Sequence, residues 1–191
     1  MTMEPIKRRL QTISVEYNMV FGNNDIENVK KFQLDGIAFD ENITNWFADC
    51  DPCQFTIPWI VEDLELFRFD TLIDRQIGYR WSMSMEKNDV WDSHWLVIGQ
   101  SSGDPVFFNS QTKKIYGALH GTGSWQPVLL AENMKEFILL LYCWLTSLSK
   151  YDYGVYNQDY MIKKELLQEF KRRIVKFKLN TVLVDNLLKL A

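Results

Sequence analysis

The sequence contains little cysteine or histidine, with three Cys and two His in 191 residues. Three cysteines are too few for a disulfide scaffold, so a reducing, cytoplasmic location is expected. Two histidines exclude most multi-histidine metal sites and restrict histidine-based catalysis to His94 and His120. We therefore expect no metal and no other cofactor.

Long apolar runs are also absent. The longest, Phe137–Leu145, has nine residues, whereas a membrane-spanning helix needs about 20. The first ten residues carry positive charges without an apolar core behind them, so no secretory signal is expected. Hydrophobic residues make up 47% and charged residues 24%, values that exclude intrinsic disorder and are typical of a globular protein.

Charge is unevenly distributed along the chain. Residues 160–191 carry eight Lys/Arg and three Asp/Glu, a net charge of +5, whereas residues 1–159 have a net charge of −9. Residues 35–104 alone hold fourteen acids and four bases. An acidic body repels nucleic acid and attracts basic partners, although a solvated acidic surface without function is the alternative. The basic C-terminal residues favour the outer face of an amphipathic helix docked on this body over a nucleic-acid-binding helix.

The hydrophobic period changes twice along the chain. Apolar residues spaced by three and four predict helices at the start and after residue 131, whereas alternating apolar residues and Gly-rich turns predict strands between them. Strands joined by short turns pair antiparallel. The sequence thus predicts an α+β fold: a central antiparallel meander with N-terminal and C-terminal helices packed around it. Helices are predicted over residues 4–21, after Asn24 or Asp25, after Asp40, over 71–80, after residue 131, over 158–179 and over 182–190.

Aromatic residues are the clearest excess, at 14% of the chain. Trp46, Trp95 and Trp144 lie on apolar faces and are predicted to be buried. The other four tryptophans lie near turns and among acids, where exposed aromatics are typical of protein-recognition surfaces; packing in satellite cores is the alternative. These four are Trp59, Trp81, Trp91 and Trp125.

Motifs for enzymatic chemistry are weak. Cys50-Asp-Pro-Cys53 has redox spacing, but a helix-like segment precedes it and no helix start follows. The glycines of 99–103 and 121–123 match no phosphate-binding pattern and are expected to form turns. His120, beside a Gly-Thr-Gly-Ser turn, could act with an Asp, and acid pairs such as Asp89 and Asp92 could serve a hydrolase. Neither arrangement has a nucleophile signature.

The middle of the chain resembles the SMI1/KNR4 superfamily, also called SUKH. The resemblance rests on Trp95-Leu-Val-Ile-Gly-Gln-Ser-Ser-Gly-Asp-Pro-Val-Phe-Phe-Asn109, followed by Ile115-Tyr and His120-Gly. It extends over about residues 39–145. The sequence departs from the family pattern at Pro105, directly after the Asp, and lacks the usual initial Leu-Pro.

The resemblance implies a domain over 1–150, with residues 151–191 as a C-terminal helical extension packed on it. It also implies a non-enzymatic binding protein, since many bacterial members are immunity proteins that neutralise polymorphic toxins, often nucleases. A regulatory scaffold module, or a hydrolase using His120 or a carboxylate pair, remains the alternative. A basic toxin domain is the expected partner, with neither nucleic acid nor membrane. The residues predicted to contact it are Trp59, Glu62, Asp63, Asp89, Trp91, Asp92, Asp104 and Trp125.

Overall fold

A computed structural model describes residues 4–14, 16–60, 62–151 and 154–190. Residues 1–3, part of the segment used above to argue against a secretory signal, lie outside this range. The α-helices of the described part are α1 (Glu4–Ser14), α2 (Ile26–Lys30), α3 (Glu41–Cys50), α4 (Met134–Leu148), α5 (Lys164–Lys176) and α6 (Val182–Leu187). The strands are β1 (Val20–Gly22), β2 (Gln33–Leu34), β3 (Ile37–Ala38), β4 (Asp51–Gln54), β5 (Thr56–Ile57), β6 (Leu64–Leu66), β7 (Trp95–Ser101), β8 (Asp104–Asn109), β9 (Ile115–Gly117) and β10 (Val128–Ala131).

The main sheet is a six-stranded antiparallel meander. Its strand order, β10-β9-β8-β7-β6-β5, follows the chain order from one edge to the other. Only Ser102 and Gly103 separate β7 from β8, and both have positive φ, as in hairpin turns whose twist matches that of the flanking strands. The predicted α+β fold with an antiparallel meander is therefore confirmed.

The two faces of this sheet are covered differently. Val106 and Phe107 are successive residues of β8, so their side chains point to opposite faces. On the Val106 face lies Trp59, whose ring packs 5.7 Å from that of Trp144 on α4. On the opposite face, the Phe107 ring contacts Trp95 of β7 and Tyr116 of β9 within the sheet, and Trp91, from an irregular segment, packs against it. One face is thus a helix-covered core, and the other is covered largely by loops.

The C-terminal helices pack onto the same body. In α5, Leu166, Phe170 and Ile174 are buried, and the Phe170 ring lies 5.3 Å from that of Trp144. Helix α6 covers the β10 edge of the sheet, where Asn186 Nδ2 donates to the Leu129 carbonyl at 3.0 Å. The basic residues of α5 lie mainly on its outer side, as expected for an amphipathic helix.

Three predicted helices differ from those observed. Helix α1 ends at Ser14, because Val20 joins β1 and pairs with β4 instead of continuing the helical face. Residues 71–80 form 3-10 turns at Phe69–Thr71 and Asp74–Gln76 in place of one helix. Helix α5 begins at Lys164, six residues later than predicted, because the Asn157 side chain accepts backbone N–H groups and holds the preceding loop in a turn.

Candidate functional site

The loop-covered face of the sheet carries a continuous cluster of aromatic rings. Trp91 lies at its centre, with its ring centroid 5.2 Å from those of Trp95 and Trp125. Phe107 and Tyr79 lie 5.4 Å and 5.5 Å from the same ring. Such pairs add about 0.5–1.5 kcal/mol each beyond the area they bury. The cluster, called here the aromatic face, consists of Tyr79, Trp91, Trp95, Phe107, Tyr116 and Trp125.

Two buried polar side chains attach residues 72–95 to this face. The Gln76 amide is fully buried: Nε2 donates to the Leu72 and Val97 carbonyls, and Oε1 accepts from the Val97 N–H. Val97 adjoins the irregularity in the β7–β8 register, where an extra residue disrupts the regular pairing of strand groups. Gln76 supplies the hydrogen bonds that these backbone groups need.

The second is Arg80, which is 1% exposed. Its Nη2 donates to the carbonyls of Ser93 and Trp95 at 2.7 and 2.9 Å, and its Nη1 lies 3.3 Å from the Asp35 carboxylate. Burial lowers the pKa of Arg80, whereas Asp35 raises it. Since a buried guanidinium needs such partners, the chain on either side of residues 81–92 is fixed in place.

Between these anchors lies an exposed loop, residues 81–90, called here the methionine loop. It is closed by backbone bonds between Ser82 and Glu86 and between Met85 and Ser82. Asn88 fastens its end, because its Nδ2 donates to the Tyr79 carbonyl. Three apolar side chains nevertheless face solvent: Met83 is 88% exposed, Met85 59% and Val90 68%.

Acidic groups surround these apolar side chains. Glu86, Asp89 and Asp92 are exposed within or beside the methionine loop, which itself contains one basic residue, Lys87. Lys87, Asp89 and Asp92 line a shallow hollow of about 460 Å³ beside Trp91 and Trp95. An anchored loop that combines exposed methionines with carboxylates is suited to contact a basic protein surface.

A second acidic group lies at the β7–β8 turn. Glu62 and Asp63 are exposed just before β6, and the Glu62 carbonyl accepts from the Ser101 hydroxyl. Asp104 Oδ1 accepts from both the backbone N–H of His120 and its ring Nδ1, at 2.6 and 2.7 Å. The Tyr79 hydroxyl donates to the Gly103 carbonyl at 3.1 Å. Burial raises the pKa of Tyr79 to about 12, so this phenol remains a donor at neutral pH. Tyr79 thus connects the turn to the aromatic face.

The structure corrects part of the predicted contact set. Trp59 and Trp91 are 4% and 3% exposed, so the prediction that they form an exposed surface is wrong. Trp59 packs under the sheet against Trp144, and Trp91 is the centre of the aromatic face. Trp81 and Trp125 are half-buried. Trp95, predicted to be buried, is also half-buried. The remaining predicted residues are accessible: Glu62, Asp63, Asp89 and Asp92 are exposed, and Asp104 is half-buried.

Sequence reasoning missed the methionine loop. Met83 and Met85 lie in a polar stretch, and methionine there carries no signal that distinguishes a contact residue from a core residue. The positive φ of Met85, +63°, is also invisible in sequence. In a residue with a side chain, such a conformation is uncommon and merits attention. The one available signal was the high density of acids around the two methionines.

The arrangements considered for catalysis gain little support. Cys50 closes α3 and is buried, it forms no disulfide with Cys53, and β4 rather than a helix starts between the two. Within the described ranges, no three His, Cys, Asp or Glu side chains group together as a possible metal site. The His120 ring is oriented by Asp104, but no hydroxyl or thiol of the described residues is hydrogen-bonded to it. No described helix has the length and apolar character to span a membrane.

Comparison of the chain with protein-family models, curated proteins and solved structures gave no match. The resemblance to the SMI1/KNR4 superfamily therefore stays a prediction, supported by the residues quoted for it. The conclusions about the site accordingly depend on its own geometry and chemistry.

Proposed function

We propose that this chain is a non-enzymatic binding protein of the immunity type, which neutralises a basic toxin domain of the nuclease class. The observation that carries the proposal is the methionine loop: three exposed apolar side chains, surrounded by carboxylates, on a backbone anchored by buried polar side chains. Interface cores are enriched in Met and aromatic residues, and an anchored loop loses little conformational entropy on binding.

The acidic side chains contribute recognition at longer range. Nucleases are commonly basic where they bind phosphate, so a carboxylate-rich surface both attracts such a domain and occupies that site. Each of the two acidic groups contains an exposed carboxylate that can be tested: Asp63 before β6 and Asp89 in the methionine loop. A regulatory interaction module would use the same surface, so the identity of the partner separates the two functions.

The first experiment identifies the partner. The tagged protein is used to capture its partner from the native cell, with the product of the neighbouring gene added as bait and the retained proteins identified by mass spectrometry. A basic toxin domain that is retained at low salt and released at high salt supports the proposal, and coexpression must then restore growth of cells that make the toxin. Capture of a non-toxic protein in the presence of a functional bait would favour the regulatory module.

The second experiment tests the surface with matched charge changes. We expect Asp63→Lys/Asp89→Lys to lower the association rate constant at least about tenfold and to weaken its salt dependence, because steering acts mainly on association. The control, Asp49→Lys/Glu165→Lys, makes the same change in net charge on the exposed sides of α3 and α5. Equal effects of both double variants would show that net charge, not this surface, attracts the partner.

The apolar side chains are tested separately. We expect Met83→Ser/Met85→Ser to raise the dissociation rate constant about tenfold with little change in association, because short-range contacts act on residence time. The control is Met161→Ser, an exposed methionine of the loop before α5. Unchanged dissociation in the Met83/Met85 variant would place the interface elsewhere.

A further inference from the structure

An open cleft of about 270 Å³ separates the end of the methionine loop from the loop that follows β9. Val90 and Asn88 line one side. Leu119, Trp125 and residues 121–124 line the other. The volume is sufficient for one long side chain and too small for a whole recognition helix.

The Trp125 side chain, which forms one wall of the cleft, is fixed by other aromatic rings. Its indole packs against Trp91 at 5.2 Å and against Tyr79 at 6.1 Å, so its position is set by the aromatic face. Val90 and Leu119 supply aliphatic surface around it. An incoming side chain would therefore meet an aromatic ring in a fixed position, with aliphatic side chains on either side of it.

Residues 121–124 contribute an exposed, glycine-containing loop to the cleft. Gly121 and Gly123 have φ of +76° and +78°, and a Cβ built on either would have no atom within 4 Å. Among the described residues, one hydrogen bond involves residues 121–127: the Thr122 hydroxyl donates to the Ser124 carbonyl. Carbonyl oxygens of this loop are thus open to a hydrogen-bond donor from a partner.

Negative charge lies beside the cleft on the methionine-loop side. Asp89 is exposed and lies in sequence between the two lining residues Asn88 and Val90. Lys87 faces the neighbouring hollow with Asp89 and Asp92, where the carboxylates outnumber it.

We infer that this cleft takes an arginine side chain of the protein partner, stacked on Trp125. The inference rests on the proposed function and adds to it the chemistry of the anchoring residue. A guanidinium is flat, donates five hydrogen bonds and accepts none, so it matches an indole plane, open carbonyls and the neighbouring Asp89 carboxylate. A lysine ammonium offers no plane to stack, and an aliphatic side chain leaves the carbonyls unused.

The test is an NMR titration of the full chain with N-acetyl-arginine amide. Trp125→Phe identifies the Trp125 indole N–H peak in the wild-type spectrum, and the Trp81 indole serves as the internal reference. A compound of this size should bind with a Kd on the order of 1 mM. We expect a saturable shift of the Trp125 peak, at least fivefold weaker binding of the lysine and norleucine amides, and about threefold weaker binding of arginine amide by Asp89→Asn.

Three results would overturn the inference, the first being that arginine amide leaves the Trp125 peak unmoved. Equal binding of norleucine amide would identify an aliphatic anchor, and equal shifts of the Trp125 and Trp81 peaks would show diffuse attraction of cations. The proposed function is judged independently, by the Asp63→Lys/Asp89→Lys variant acting on the whole partner. If arginine amide leaves Trp125 unmoved while that variant still slows association, only the assignment of the cleft is lost; if both fail, the proposed function falls with it.

Discussion

Replacing Gln76 by Leu should destabilise the protein strongly, although a glutamine in this polar stretch of sequence would be expected to lie at the surface. The side chain is fully buried and makes three hydrogen bonds of 2.8–3.0 Å, all to backbone groups of Leu72 and Val97. Each typical bond contributes about 1 kcal/mol net, and an N–H left buried without a partner costs about 1–3 kcal/mol. Since leucine keeps the volume but provides no polar atom, we expect a loss of about 3 kcal/mol in the free energy of unfolding.

The assay is equilibrium unfolding in urea, followed by tryptophan fluorescence. The midpoint should fall while the slope is retained, because the surface exposed on unfolding changes little. Gln168→Leu, on the exposed side of α5, is the matched control and should lie within about 0.5 kcal/mol of wild type. A loss below about 1 kcal/mol for Gln76→Leu would refute the argument that Gln76 satisfies the β7 irregularity. Because Gln76 also fixes the segment that leads into the methionine loop, partner dissociation should become faster in the same variant.

Three further predictions concern the helices, the sheet and the turn. In α5, Arg172 donates to the Glu169 carboxylate and, with Arg173 and Lys150 nearby, lowers its pKa from 4.5 to about 2. This carboxylate therefore stabilises the fold above pH 4.5 and loses its contribution as the pH falls towards 2. Glu169→Gln should lower the free energy of unfolding by about 1 kcal/mol at pH 7, a modest amount because its partner Arg172 is exposed to solvent. The variant should also lose less stability than wild type as the pH falls from 4.5 towards 2. An equal loss of stability in both proteins would contradict this. Gly99→Ala should cost about 1–3 kcal/mol in urea unfolding, because its Cβ would lie 2.6 Å from the Glu65 carbonyl oxygen; a neutral effect would show that β6 can move. His120→Ala should leave partner affinity within about twofold and give no loss of turnover on ester, phosphoester or glycoside substrates, consistent with a structural bond to Asp104; turnover in wild type that this variant abolishes would favour the hydrolase.

Local sequence signals predicted the parts of the fold that depend on neighbouring residues. Of the two candidates Asn24 and Asp25, Asp25 caps α2 by accepting from two backbone N–H groups, and Asp40 caps α3 by accepting from the Ile43 N–H. The strands β7, β8 and β9 follow from apolar runs separated by Gly and polar turns. The end of α1 could not be predicted, because Val20 pairs with Gln54, far along the chain.

The errors at the site have the same origin. Trp91 stands between Asp89 and Asp92, a setting typical of an exposed residue, yet it is buried against Phe107 on β8. Gln76 and Arg80 give no sign in sequence that they are buried, because their partners are backbone groups of strand β7 and the residues before it. The exposed acids of the contact set could be identified directly, since carboxylates without a partner are seldom fully buried.

The coverage of the β10 edge by α6 bears on how the protein could aggregate. Strand β10 reads Val-Leu-Leu-Ala, and a bare edge of this composition is a template for pairing with another chain. Asn186 Nδ2 donates to one backbone acceptor of this strand, the Leu129 carbonyl. Leu183 and Leu187 are buried side chains of the same helix, α6. A chain truncated at residue 180 would retain every strand of the sheet but present that edge to solvent. Intermolecular association of such a fragment, even where its secondary structure is native, would be the physical cost of losing a single short helix.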